Sequence, residues 1–432
     1  MISRAGVQGE TSATAGRPHA EAAIAVLTFS LIFLQKLGFS FAGGAIGLDA
    51  FILWSVLLWL LVGGQAVIDP LRSLLFLVMM GTVVLSLMVG SFLGGAPPGL
   101  PALFVFFGMY ATMLVRIDVT RSGMLRCLDK FQVGMGCVAI IVICQQILQY
   151  TIGNHYWPNP ERLVPDFLLI KGYAYLRPYT WNSPYLTPNG IFFLEPSAMS
   201  GFMASALAAE IVWFKKPWRL GLFGIGLVAG VAGTGPTIVA LLSPLLLRKM
   251  DRRLIKWVVG AGTPLLILAV AGGAMSHLLD RSSEFSSNNS SAYARFIIPL
   301  HSTMTLISDP AYLFTGSGPG SSPKGNDEVQ WPINKLTYEY GLLTAISFHA
   351  YFLVATLRNS ASSTLALIVI VPHLCFGGGF VLHTDIMMLV IFGSLLRLKL
   401  CKSNSLAVLH DSPWATRDGR KSSPETGRLS VL

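Results

Sequence analysis

Apolar residues run along this chain in blocks of about 20, the length at which an α-helix crosses about 30 Å of hydrocarbon. Short basic, glycine-rich or aromatic stretches break the blocks apart. Segments 22–42, 46–63, 72–93, 101–116, 133–152, 189–213, 257–278, 340–357, 361–380 and 383–397 each read as one spanning helix. Backbone in lipid must satisfy its own hydrogen bonds, which selects helices, and the ten-residue alternation of a membrane β-barrel is not seen. The run 220–247 is longer, about 42 Å as one helix. Its middle, Gly230-Val-Ala-Gly-Thr-Gly-Pro236, carries helix breakers, so this run predicts a hairpin of two short, re-entrant spans. The pattern as a whole predicts an all-α, polytopic membrane protein of about 12 transmembrane helices, the short hairpin included.

Charge orients the pattern. The chain carries a net charge of +10, yet only 12% of its 432 residues are charged and 53% are hydrophobic. A soluble domain has roughly 25% charged residues. Lys and Arg cluster between the apolar runs, at Arg116 to Lys130, at Lys215 to Arg219 and at Arg248 to Lys256, which is the positive-inside signature rather than a nucleic-acid footprint. With the hairpin counted as two crossings, every basic cluster falls on one side and both termini are cytoplasmic. Residues 1–21 and 402–432 are polar and read as disordered tails around a membrane domain spanning 22–401. The five cysteines show neither disulfide nor zinc spacing.

Two long segments, about 153–188 and 279–339, then face outward. They are rich in Tyr and Trp, including Tyr173, Tyr175, Tyr179, Trp181 and Tyr185. Aromatic faces with scattered Arg and Asn suit sugars, whose rings stack and whose hydroxyls need polar partners; an interfacial aromatic belt is the plainer alternative. The first segment leads into Leu194-Glu195-Pro196-Ser197, where an ionisable residue stands inside an apolar run beside a helix-starting proline. A salt bridge to a nearby Arg that merely pins the loop is the alternative role for Glu195. The second segment holds Tyr293, Arg295 and His301 on or near a predicted helix, then Gly316-Ser-Gly-Pro-Gly320, which lacks the Lys-Ser/Thr of a P-loop and reads first as a turn. It re-enters the membrane through Trp331-Pro-Ile-Asn334 and Glu339-Tyr-Gly341. A last outward turn carries His383 and Asp385, spaced to pair with one another; histidine is the usual proton-transfer residue.

Over about residues 170–360 these motifs resemble the O-antigen polymerase and O-antigen ligase superfamily, which includes exopolysaccharide polymerases. The resemblance implies a metal-independent glycosyltransferase of the bacterial inner membrane, without cofactor. It would move a glycan from an undecaprenyl diphosphate carrier to an acceptor sugar on the periplasmic face. On that reading Arg177 and Arg295 stabilise the departing diphosphate, and Tyr293, Trp181, Asn334 and Glu339 contact substrate. Glu195, His301 or His383 serves as base. The family commonly has a His where this chain has Trp331-Pro-Ile-Asn334, so the base is sought among those three. The implied partners are the lipid-linked oligosaccharide, the bilayer, a chain-length regulator and export machinery, and no nucleic acid. Two other readings stand beside polymerisation. One is a ligase of the same superfamily. The other is a transporter or flippase of lipid-linked oligosaccharides, which would be expected to show internal repeats and charges at mid-membrane; here Lys36 is the main charge inside a predicted span.

Overall fold

The structure is a computed structural model that describes residues 17–41, 44–92, 99–153, 164–170, 176–179, 183–252, 254–256, 297–321, 331–358, 360–376 and 383–398, with single positions at 260, 263, 267 and 293. Most of both predicted tails, the predicted span 257–278, Arg295, Trp181 and the aromatics 155–157, 173 and 175 lie outside the described residues.

Helices dominate what is described. Four are long and apolar enough to cross a membrane: Pro70–Phe92, Arg121–Thr151, Pro196–Phe214 and Pro332–Arg358. Shorter apolar helices fill in around them.

The first helix, α1 (Arg17–Phe33), starts before the expected boundary and stops well short of residue 42. In place of its predicted end stands a β-hairpin, β1 (Gly38–Phe41) and β2 (Gly44–Gly47), paired from Gly38↔Gly47 to Phe41↔Gly44. Hydropathy alone carried the predicted helix through this stretch, but each glycine weakens a helix by about 0.5–1 kcal/mol. A Cβ on Gly38 would stand 2.6 Å from the Ile46 carbonyl and 2.7 Å from Ile170. Lys36 therefore lies just beyond the end of α1, where it is buried.

Helix α2 (Leu48–Val62) leads through β3 (Val67–Ile68) to α3 (Pro70–Phe92). Asp69 caps α3: its Oδ1 accepts from the amides of Leu71 and Arg72, and Pro70 occupies the first helical position. Helix α4 (Leu100–Ala111) tightens into one 3₁₀ turn and runs into β4 (Val115–Val119). The alternating Val-Arg-Ile-Asp-Val, expected as the end of a span and a basic loop, is the middle strand of a three-stranded sheet. It pairs antiparallel with β3 and parallel with β5 (Leu396–Leu398). The fully buried Arg72 binds this end together: Nη1 donates to the carbonyls of Met113 (2.9 Å) and Val115 (3.3 Å), and Nη2 to that of Ser394 (2.9 Å).

Helix α5 (Arg121–Thr151) packs on α1, on α6 (Pro196–Ala209) and on α7 (Pro217–Ala229). The expected hairpin is present as α7 and α8 (Thr234–Lys249). With 13 and 16 residues its arms measure about 20 and 24 Å. Ser200 closes its turn, accepting from the Gly235 amide (2.9 Å) and donating to the Ala232 carbonyl (3.3 Å), and Gln146 donates to the Ala229 carbonyl. Side chains of neighbouring helices thus satisfy the irregular backbone.

Part of the second predicted outer loop is helical. Helices α9 (Ile298–Ser308) and α10 (Pro310–Thr315) precede α11 (Pro332–Leu353), which begins ahead of the expected span because Pro332 starts it. Helix α12 (Ser363–Phe376) and α13 (His383–Met388, wound on more widely to Leu395) complete the domain. Every residue from Ile386 to Leu396 is buried, against α12, α2 and α1 among others.

Candidate functional site

Glu195 stands at the head of α6 with extended backbone (φ −140°, ψ 154°), and Pro196 takes the first helical position. Its side chain does not cap the helix; Oε2 accepts instead from the Ser197 hydroxyl at 3.0 Å. The first amides of α6 therefore remain directed at the region around this carboxyl group. Among the described residues no ion pair joins Glu195 to a cation, and Arg295 lies outside them. The electrostatic neighbour of Glu195 is Asp385, on the first turn of α13. Asp385, 190 residues further along the chain, thus lies within electrostatic range of Glu195.

The backbone leading to Glu195 is strained. Gly190 and Ile191 both adopt left-handed conformations (φ 63° and 67°). For a β-branched residue such a conformation stores on the order of 1–3 kcal/mol, and strain of this kind concentrates at functional sites. Glycine is required at 190, where a Cβ would lie 2.8 Å from Val138. The segment is held by amide side chains: Gln145 Oε1 accepts from the Gly190 amide, and Asn189 Oδ1 from the Ile191 amide, both at 3.0 Å.

The depth of the site follows from helix register. Gln132 on α5 donates to the Ala206 carbonyl on α6 (2.9 Å). Counting about 1.5 Å per residue back from that bond sets Glu195 level with about residue 143 of α5, roughly 12 Å short of its outer end.

Above it, residues 177–179 and 185–187 pair as a short antiparallel ladder. The Thr187 amide donates to the Arg177 carbonyl (2.7 Å) and the Tyr179 amide to the Tyr185 carbonyl (3.0 Å). Gln149 Oε1 accepts from the Leu186 amide (3.0 Å), and the Tyr179 hydroxyl donates to Gln146 (2.6 Å). Burial, reinforced by the neighbouring Tyr150, raises the Tyr179 hydroxyl above the ordinary tyrosine value. Arg177 is exposed on this ladder.

The remaining predicted residues separate by role. Asn334 is buried and donates to the Pro299 carbonyl at 2.6 Å, joining α11 to α9. Glu339 is buried two residues before a break in α11 at Gly341 (φ 79°, ψ 164°). The Gly316–Gly320 run wedges into that break: the Ser317 amide donates to the Tyr338 carbonyl (2.7 Å) and the Gly318 amide to that of Glu339 (3.1 Å). It fills a broken helix, as the turn reading expects. His301 is exposed on α9, which packs on α10 and α11, whereas α6 packs on α8 and α12. Tyr293 is half-buried, and His383 opens α13, two residues before Asp385. Sequence spacing paired Asp385 only with His383; nothing in the sequence signalled its approach to Glu195. Tyr150, whose ring lies 4.9 Å from that of Tyr185, ends an apolar helix and was passed over as part of a span.

Fold and site together define a predominantly helical protein with four helices of membrane-crossing length and a carboxyl group, Glu195, at the start of α6 within electrostatic range of Asp385. No protein-family model matches the chain, and no curated protein matches it.

Proposed function

We propose that this protein is a polymerase of exopolysaccharide or O-antigen repeat units. It transfers glycan from undecaprenyl diphosphate to an acceptor sugar on the periplasmic face of the bacterial inner membrane, with about 12 crossings and both termini cytoplasmic. The observation that carries the reading is Glu195: a carboxyl group at a strained helix start, held by one serine hydroxyl, below the arginine-bearing aromatic ladder of Arg177–Tyr179 and 183–187. A carboxyl group held in such surroundings at a membrane-embedded helix start is a functional group before it is a structural one.

The chemistry follows from that arrangement. Glu195 takes the proton of the acceptor hydroxyl. The hydroxyl oxygen forms a bond to the anomeric carbon of the donor glycan as the bond from that carbon to the phosphate oxygen breaks. The electron pair leaves on the diphosphate, whose charge Arg177 and Arg295 stabilise. Asp385 lies next in line to hand the proton on to water, with His383 on the same helix as the second candidate base. The re-entrant hairpin and the strand sheet, which gathers the ends of α2, α4 and α13 opposite the Glu195 end, both support the topology.

Purified protein reconstituted with a lipid-diphosphate-linked repeat unit should build a ladder of longer glycans on a gel. Unextended substrate appearing on the opposite leaflet would replace this reading with a transporter. Single transfer to a lipid or protein acceptor, without a ladder, would replace it with a ligase.

A further inference from the structure

We infer that Tyr150, Tyr179 and Tyr185 form a saccharide-binding platform that holds the growing glycan about 10 Å beyond Glu195. The inference deepens the polymerase reading and rests on it for the identity of the sugar chain. The ring of Tyr185 lies 4.9 Å from that of Tyr150 at 47° and 6.2 Å from that of Tyr179 at 38°. The three rings thus make one continuous, bent aromatic surface assembled from the end of α5 and the ladder. Tyr150 is 60% exposed and Tyr185 39%. In the ladder Tyr179 and Tyr185 stand directly opposite each other, and Arg177 shares their face by strand alternation.

A membrane belt would orient these rings differently. A belt tyrosine sinks its ring into the lipid boundary and extends its hydroxyl to the headgroups. The Tyr179 hydroxyl does the reverse: it points inward, donating to Gln146 and accepting from Gln149 at 3.0 Å. Gln149 also holds the Leu186 amide. The ring is therefore pinned from below and offers its face. Fixed aromatic faces beside a guanidinium suit a sugar, whose C–H face stacks while its hydroxyls and acidic groups find the charged donor. A platform set just outside the reacting carboxyl group would retain the polymer between successive additions.

The test uses full-length protein in lipid nanodiscs and, as probe, oligosaccharides released by mild acid from the host's own envelope polysaccharide. Saturation-transfer NMR should detect binding to the unaltered protein. Binding should weaken roughly tenfold in Tyr150→Leu/Tyr185→Leu, the size of effect expected for truncating an aromatic anchor, and return in Tyr150→Trp/Tyr185→Trp. In the producing cell the Leu variant should make shorter polymer at equal protein abundance. Absence of binding by the unaltered protein, or equal binding by the Leu variant, would overturn the platform. Normal polymer from Glu195→Gln with tyrosine-dependent binding intact would instead sink the polymerase reading and leave the platform standing.

Discussion

Arg72 and Glu195 are ionisable side chains at the starts of apolar helices, the first fully buried and the second half-buried, and they show why burial of a charge does not by itself indicate function. Arg72 is fully buried at the sheet end, and its two terminal guanidinium nitrogens donate to three carbonyls from two separate segments. Its charge is neutralised by the backbone dipoles it joins. Glu195, at the opposite end, accepts from one serine hydroxyl among the described residues and has Asp385 as its electrostatic neighbour. The first arrangement ties both terminal nitrogens of the guanidinium to backbone; the second, on the proposed reading, leaves the carboxyl group open to substrate. What a charge in apolar surroundings faces bears on whether it holds the fold or is open to chemistry.

Removing the structural partner should have the larger consequence. Arg72→Ala leaves three buried carbonyls without a donor, each worth about 1–3 kcal/mol, against a total stability of about 5–15 kcal/mol. No monodisperse protein is expected on size-exclusion chromatography after detergent extraction, and Arg72→Lys should recover part of it. A normal yield of Arg72→Ala would erase the contrast with Glu195. Glu195→Gln, by comparison, should extract and melt like the unaltered protein yet lose about 10²–10⁴-fold in glycan extension, the usual weight of a general base. An unchanged rate would make Glu195 a second structural residue.

Smaller effects sharpen the comparison. Gly341→Ala forces a side chain into a left-handed position where its Cβ would overlap the Phe314 carbonyl. A loss of about 1–3 kcal/mol is expected, visible as a lowered melting temperature with the catalytic rate at permissive temperature retained. The least effect concerns Tyr179. Its raised pKa means that the folded state holds the phenol proton more tightly than the unfolded chain does. The ladder's attachment is therefore complete below the ordinary tyrosine value near 10 and weakens only as pH rises beyond it. The ultraviolet difference titration between the unaltered protein and Tyr179→Phe should show a phenol ionising later than an ordinary tyrosine.

Much of this architecture was legible wherever a long apolar run met a strong breaker. The hairpin followed from Gly230 to Pro236, and the start of α6 from Glu195-Pro196. The strands were not legible. Val67–Ile68 and Leu396–Leu398 are too short for period-2 patterning to register, and they become strands only because Val115–Val119 lies between them. The hairpin at Gly38–Gly47 hid inside an apolar window because hydropathy is indifferent to glycine's backbone preferences. For the site, individual residues stood out by being polar in apolar surroundings, but their companionship did not. The packing of α13 brings Asp385 into electrostatic range of Glu195, and glutamines of α5 hold the tyrosine ladder, and neither leaves a local trace in the chain.

The burial of α13 bears on how the protein is made. A ribosome delivers this helix after every other described one, yet every residue from Ile386 to Leu396 is buried. Until it arrives, the earlier helices surround a slot as wide as a helix, and the guanidinium of Arg72 waits for the Ser394 carbonyl. The nascent protein must keep that slot closed by looser packing or filled by a surrogate, such as lipid or an insertion factor, so the packed domain is complete only once synthesis has passed this last helix.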